Sequence, residues 1–99
     1  MFTGLTPKNG APAIVTKVRA VFGGPETVAS TAILTPETEF GDRAMIEVAR
    51  GCTKGCRYCW VGYNILPFRV HAVDDVLTAA ERWRPTTQRV GLVATALLD

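Results

Sequence analysis

Several common sequence signatures are missing from this chain. No stretch approaches the roughly 18 apolar residues that a membrane-spanning helix needs, and residues 1–10 contain neither the basic segment nor the apolar run of a secretory signal. The eleven basic and nine acidic residues are dispersed, so no run of Lys and Arg predicts nucleic-acid binding. We therefore expect a cytoplasmic protein without a membrane partner, and we do not expect nucleic acid as a ligand.

Cysteine and histidine are both scarce. The three cysteines, Cys52, Cys56 and Cys59, fall within eight residues, and His71 is the one histidine. An odd number of clustered cysteines in a reducing compartment favours metal ligation over disulfide bonds.

The length and composition set a limit on the fold. With 99 residues, 47% of them hydrophobic and 20% charged, the chain has the composition of a globular protein and the length of one small domain at most. Residues 13–22 and 27–35 are rich in β-branched and apolar types and flank a turn at Gly23, Gly24 and Pro25. This pattern predicts a β-hairpin near the N-terminus.

The second half of the chain has the pattern of a strand–helix–strand unit. Residues 44–49 form a short apolar segment that leads into the cysteines, and residues 89–98 form a nearly continuous apolar run typical of a parallel strand covered on both faces. Between them, residues 73–83 carry apolar side chains at helical spacing, and Pro85 is expected to stop that helix. The fold class is therefore α/β, with the cysteine loop at the C-terminal end of a strand, where parallel folds place their chemistry.

The cysteine segment has the spacing of a compact metal site. Three thiolates separated by three and two residues can bind one cluster, and Gly51 and Gly55 allow the backbone to bend around it. A four-iron cluster with three cysteine ligands keeps one iron open, as catalytic metals do. Arg50, Lys54 and Arg57 are expected near the thiols, within a segment of net charge +3 from Asp42 to His71.

The segment also resembles a known family. The pattern Cys-x3-Cys-x2-Cys with an aromatic residue before the last cysteine is the signature of radical S-adenosylmethionine (SAM) enzymes, and Tyr58 fills the aromatic position. The resemblance implies that Cys52, Cys56 and Cys59 bind a [4Fe-4S] cluster, that SAM chelates the fourth iron, and that Tyr58 lies against the adenine. It further implies an electron donor such as flavodoxin or ferredoxin, and cleavage of SAM to a 5′-deoxyadenosyl radical.

A longer stretch, Ile33 to Arg69, looks like radical SAM proteins whose longer versions carry an N-terminal cobalamin-binding domain. This resemblance implies the opening βαβ portion of a radical SAM (β/α) barrel preceded by the hairpin. Residues 1–42 would be an N-terminal extension and residues 43–99 the truncated start of the core domain, with cobalamin expected only in the longer homologues. Ala94, Thr95 and Ala96 stand where many members have a Gly-Gly-Glu-like sequence. We expect the isolated fragment to be inactive, and no catalytic residue is assigned.

Two other functions remain open from the residues alone. One is a small iron–sulfur electron-transfer protein, although an open iron is a liability there. The other is a non-catalytic remnant that binds zinc through the three cysteines and His71, although a gap of three residues between the first two cysteines is uncommon for zinc. We interpret His71 as an ordinary polar residue before a helix and Trp83 as a core residue. Glu47 is either exposed or a polar group of a barrel interior.

Overall fold

The structure is a computed structural model, and it describes residues 8–10, 18–19 and 21–96. Four strands and two α-helices occur in this part, together with a 3-10 helix at Pro25–Thr27. In chain order the elements are β1 (Ala44–Glu47), β2 (Ala49–Arg50), α1 (Val61–Asn64), β3 (Arg69–Val70), α2 (Val73–Glu81) and β4 (Val90–Val93).

Strands β1 and β4 pair in parallel, in a register that runs from Ala44 opposite Val90 to Glu47 opposite Val93. Helix α2 lies between them in the sequence and belongs to the crossover connection that a parallel pair needs. The strand–helix–strand order and the parallel pairing predicted from the sequence are therefore confirmed. Closure into a barrel stays a prediction.

Helix α2 begins and ends close to the predicted positions. Asp74 and Asp75 occupy its first turn, where negative charge is favourable next to the unpaired backbone N–H groups. The helix ends at Glu81, two residues before Trp83, and the chain continues in turns in which Trp83 donates its backbone N–H to Ala80 at 3.0 Å. The prediction placed this helix correctly and made its C-terminal end slightly too long.

The core is small and is assembled from three distant parts of the chain. Val28, Ile46 and Ala79 are buried together, and Val76 and Ala80 of α2 pack against them. Ile46 is completely buried, and it is the largest fully buried side chain among the described residues. Strand β1 is thus covered on one side by α2 and by the segment that follows the 3-10 helix.

Strand β4 is exposed over much of its surface: Val90, Leu92 and Val93 are 42%, 55% and 42% exposed. Within the described residues β4 pairs with β1 alone, so its second edge and much of its surface have no covering element. The apolar run predicted this strand correctly.

The predicted hairpin stays a prediction because most of residues 13–22 lies outside the described residues. Its second segment contains no named strand; Ser30 forms a single antiparallel bridge with Ile46. Thr31 adds side-chain hydrogen bonds to Met45, accepting from its N–H at 2.8 Å. Residues 28–31 therefore lie along β1. The division of the chain at residue 42 also stays a prediction.

Candidate functional site

All three cysteines lie in one loop, residues 51–68, which a short antiparallel ladder closes at its base. Ala49 pairs with Val70 and Arg50 with Arg69, so β2 leads into the loop and β3 leads out of it. Because β2 follows β1 after one residue, the loop starts at the C-terminal end of a strand of the parallel pair. The predicted location of the cysteine loop is confirmed.

Gly51 makes the bend at the entrance to this loop. Its φ is +92°, which L-residues with side chains rarely adopt, and a Cβ atom built there would collide with the carbonyl oxygen of Ile65. The same Cβ would lie 3.1 Å from the carbonyl oxygen of Pro67. Only glycine lets the two ends of the loop approach this closely.

Two short backbone features shape the rest of the loop. Gly55 has a φ of +62°, and a Cβ atom built there would meet no atom within 4 Å, whereas a Cβ built at Gly62 of α1 would lie 3.9 Å from the Cα of Gly55. Cys59 donates its backbone N–H to Cys56 at 3.0 Å, so these two cysteines stand at the ends of one tight turn. The loop therefore folds back on itself and does not extend away from the strands.

The thiols are all free and differ in exposure. Cys52 and Cys59 are half-buried and Cys56 is exposed. The Sγ atom of Cys52 accepts a hydrogen bond from the backbone N–H of Lys54 at 3.4 Å.

The loop does not bring the three thiols together as a ligand set. In the part of the chain that the structure describes, no three His, Cys, Asp or Glu side chains are close enough to hold a metal ion. The chemistry of the donor set still fits an iron–sulfur cluster, since the thiols are three, unpaired and carried by a loop bent at two glycines. The side chains of the loop would have to converge for the cluster to bind.

The two aromatic residues on either side of Cys59 are exposed to solvent. Tyr58 is 92% exposed and Trp60 is 67% exposed. Both side chains are thus largely open to solvent. The contact of Tyr58 with an adenine stays a prediction. The exposed ring of Tyr58 is accessible for such a contact.

Arg50 is engaged with Glu47 rather than with the thiols. Its Nε donates to Oε1 of Glu47 at 2.8 Å and its Nη2 donates to Oε2 at 2.5 Å. The hydrogen bonds that Arg50 donates to the Glu47 carboxylate raise the pKa of Arg50, burial opposes this, and the opposite charge of Glu47 adds to it. Glu47 is half-buried, so it is not simply exposed, and whether it belongs to a barrel interior stays open.

His71 is buried, which corrects the interpretation of an ordinary polar residue before a helix. Its ring stacks on Phe22, with centroids 3.8 Å apart and an interplanar angle of 8°. Its Nε2 lies 3.6 Å from Oε2 of Glu47, and within the described residues neither ring nitrogen has a hydrogen-bond partner. His71 is not grouped with the cysteines. Sequence analysis missed Phe22, because no local pattern relates it to His71.

The remaining expectations concern the membrane and Trp83. Neither helix within the described ranges is long and apolar enough to cross a membrane. Trp83 is half-buried at the turn after α2 and is not among the buried core residues, so its assignment to the core is only partly met.

Comparison with known proteins gives one distant relative. An uncharacterized protein of Methanocaldococcus jannaschii is 27% identical over 88 residues, which cover 84% of this chain and 20% of that protein. The chain thus spans about a fifth of the length of the curated relative it matches. The sequence matches no protein-family profile, and no solved structure is similar to it.

Proposed function

We propose that this chain carries the cluster-binding loop of a radical SAM enzyme, with Cys52, Cys56 and Cys59 as the ligands of a [4Fe-4S] cluster. The observation that carries the proposal is that three free thiols lie in one glycine-bent loop at the end of a strand of a parallel pair. In α/β folds this edge of the sheet is where ligands bind.

The loop provides the accessibility that such a site needs. Cys56, Tyr58 and Trp60 are exposed, so a cofactor can approach the thiols from solvent. Half-buried Cys52 and Cys59 lie before and after Cys56 and Tyr58 in the sequence and take part in the backbone hydrogen bonds described above. These residues would bind and orient the cofactors, and the exposed ring of Tyr58 would cover the adenine of SAM.

Charge near the loop also suits an anionic cluster. Three thiolates and inorganic sulfide carry negative charge, and Lys54 and Arg57 lie between the cysteines in the sequence, both exposed. Arg50 contributes less to this field because Glu47 neutralises it locally. When bound, the cluster and SAM supply one-electron chemistry, which requires an external electron donor.

The proposal is tested by anaerobic reconstitution of the chain with ferrous iron and sulfide. We expect about four iron and four sulfide per chain, and an absorbance that bleaches on reduction. Cys52→Ala, Cys56→Ala and Cys59→Ala should each abolish the cluster. Thr53→Ala is the matched control, since Thr53 is an exposed residue of the same loop.

Addition of SAM to the reduced cluster separates the radical SAM function from simple electron transfer. SAM bound at an open iron changes the electron paramagnetic resonance spectrum of the cluster, and Tyr58→Ala should weaken that change without loss of iron. An intact cluster whose spectrum does not change when SAM is added would instead support the function of a small electron-transfer protein. Stoichiometric zinc with no uptake of iron would contradict both.

A further inference from the structure

Cys56 and Cys59 are the first and last residues of one β-turn. The backbone N–H of Cys59 donates to the carbonyl of Cys56 at 3.0 Å, and Arg57 and Tyr58 form the turn between them. The first and fourth Cα atoms of a β-turn are less than about 7 Å apart. A disulfide joins cysteines whose Cα atoms are about 4.4–6.8 Å apart. The turn therefore holds the backbone of these two cysteines at a separation that suits a disulfide.

Both thiols of this pair are accessible from solvent, Cys56 more than Cys59. Cys56 is exposed, Cys59 is half-buried, and neither is in a disulfide. The two residues between them, Arg57 and Tyr58, are exposed as well. Thiol–disulfide exchange needs access to the sulfur atoms, and exposed disulfides are commonly the labile and regulatory ones. The turn thus has the accessibility that reversible oxidation requires.

Cys52 is placed differently from the other two cysteines. Its Sγ atom accepts a hydrogen bond from the backbone N–H of Lys54 at 3.4 Å, so it lies against the backbone that follows it. In the part of the chain that the structure describes, the three thiols do not form one group. Among the same residues, Cys56 and Cys59 are the two cysteines that a backbone hydrogen bond links. The fold thus favours this pair over the two pairs that contain Cys52.

We propose that Cys56 and Cys59 form a reversible disulfide in the metal-free chain, and that this disulfide keeps the loop from binding a cluster until it is reduced. The thiolate is the form of cysteine that binds metals, so the disulfide removes two of the three ligands. This second part rests on the proposed function, because it treats the same thiols as cluster ligands. The first part does not depend on a cluster.

The oxidant is a small-molecule disulfide such as oxidised glutathione. The sulfur of Cys56 attacks one sulfur of the oxidant, the S–S bond of the oxidant breaks, and a mixed disulfide forms at Cys56. One small thiol leaves with the proton of Cys56. The sulfur of Cys59 then attacks the sulfur of Cys56, and the second small thiol leaves with the proton of Cys59. Two protein thiols thus lose two electrons, which reduce one small-molecule disulfide to two thiols.

Tryptic digestion and mass spectrometry test the pairing. Lysine or arginine separates the cysteines, so trypsin places each cysteine in its own peptide: residues 51–54, 55–57 and 58–69. The full metal-free chain is reduced, freed of reductant and incubated with oxidised glutathione. It is then quenched with acid, alkylated and digested. We expect the disulfide between peptides 55–57 and 58–69 as the main product, with Cys52 alkylated and with all three thiols restored by dithiothreitol.

Variants assign the disulfide to this turn. Cys52→Ser is the matched control and should form the same disulfide to the same extent. Cys59→Ser should stop at the mixed disulfide of Cys56 with glutathione, because the second thiol is missing. A main disulfide that contains Cys52, wild-type chains that carry only glutathione adducts, or thiols that all remain reduced would each overturn the proposal.

Cobalt(II) tests the effect of the disulfide on metal binding, since it does not reduce disulfides and its thiolate complexes absorb light. We expect the reduced chain to develop this absorbance and the oxidised chain to lack it until dithiothreitol is added and removed. Equal absorbance of the two forms would overturn the control of metal binding by the disulfide. A reduced chain that binds neither cobalt nor iron would instead contradict the proposed function, and the tryptic peptides would still decide whether the disulfide forms.

Discussion

The ring of Phe22 lies flat on the imidazole of His71, with an interplanar angle of 8°. This contact attaches the segment before the 3-10 helix to the residue between β3 and α2. His71 itself is buried, and within the described residues its ring nitrogens have no hydrogen-bond partner. Aromatic pairs contribute about 0.5–1.5 kcal/mol beyond the area they bury.

His71→Phe separates the structural role of His71 from a role as a metal ligand. Phenylalanine keeps an aromatic ring to stack on Phe22 but has no nitrogen. We expect this variant to fold and to take up as much iron and sulfide as the wild type in anaerobic reconstitution. A fall in metal content comparable to that of Cys52→Ala, in a variant whose circular dichroism is unchanged, would favour a zinc site with four ligands.

Gly51→Ala should damage the loop more than Gly55→Ala. Both positions have positive φ, but the new Cβ at Gly51 meets backbone oxygen, whereas at Gly55 no atom lies within 4 Å. We expect the free energy of unfolding to fall by more than about 2 kcal/mol for Gly51→Ala and by about 1 kcal/mol for Gly55→Ala. Urea denaturation measures both. Equal losses of stability in the two variants would show that the close approach of residue 51 to Ile65 does not add to the cost of a side chain there.

Ile46→Ala should be among the most destabilising changes in the core. Ile46 is completely buried between the segment at Val28 and helix α2, and truncation would leave a cavity there. We expect a loss of about 2–4 kcal/mol in the free energy of unfolding. Ile33→Ala is the matched control: Ile33 is 80% exposed, so its truncation should change stability by less than about 0.5 kcal/mol. A similar loss of stability in both variants would show that burial of Ile46 in the core does not decide the stability of the fold.

Glu47→Gln should lower stability by about 1 kcal/mol, because a neutral amide replaces one charged acceptor of Arg50 with a donor. The comparison is Glu81→Gln, which removes the exposed pair of Glu81 with Arg84, 3.2 Å apart, and should have little effect. Urea denaturation of both variants and of the wild type measures the difference. A larger loss for Glu81→Gln would contradict the importance of burial for the Glu47 pair.

The loss from Glu47→Gln should also be the same at about pH 7 and about pH 9. The pKa of Arg50 is raised in the folded chain, so its charge contributes stability at every pH below the ordinary value of a guanidinium. That contribution is lost only as the pH rises through the raised pKa, in strong alkali. A loss that shrinks steadily over this range would mean that another group is the partner of Glu47.

The sequence predicted the elements with regular patterns and the order in which they occur. Strand β1, helix α2 and strand β4 each have an apolar repeat or run that indicates their type, and the cysteine loop follows from its position after β1. The apolar run of β4 shows that this strand prefers to be covered, and not what covers it. The resemblance of the cysteine segment to a family rests on residue types and spacing alone.

The contacts around Glu47 and His71 could not be read from the sequence for a different reason. Arg50 meets Glu47 across the break at Val48 between β1 and β2, and Phe22 meets His71 only after the chain has folded. The contact of Phe22 with His71 depends on where distant segments cross, which no local period encodes, and the contact of Arg50 with Glu47 depends on the break between the two strands. The spacing of Cys52, Cys56 and Cys59 likewise fixed their common loop, but it did not fix the directions of their side chains.

The two-residue ladder at the base of the cysteine loop has a consequence for motion. Among the described residues, the pairs Ala49–Val70 and Arg50–Arg69 and one hydrogen bond from the backbone N–H of His71 to the carbonyl of Val48 close the loop, whereas Ile46 packs with Val28 and Ala79 in the core. Local opening that breaks the ladder therefore costs much less than global unfolding, and backbone amides in residues 51–68 should exchange with solvent faster than those of β1. The loop can rearrange around an incoming ligand while the sheet and α2 stay folded.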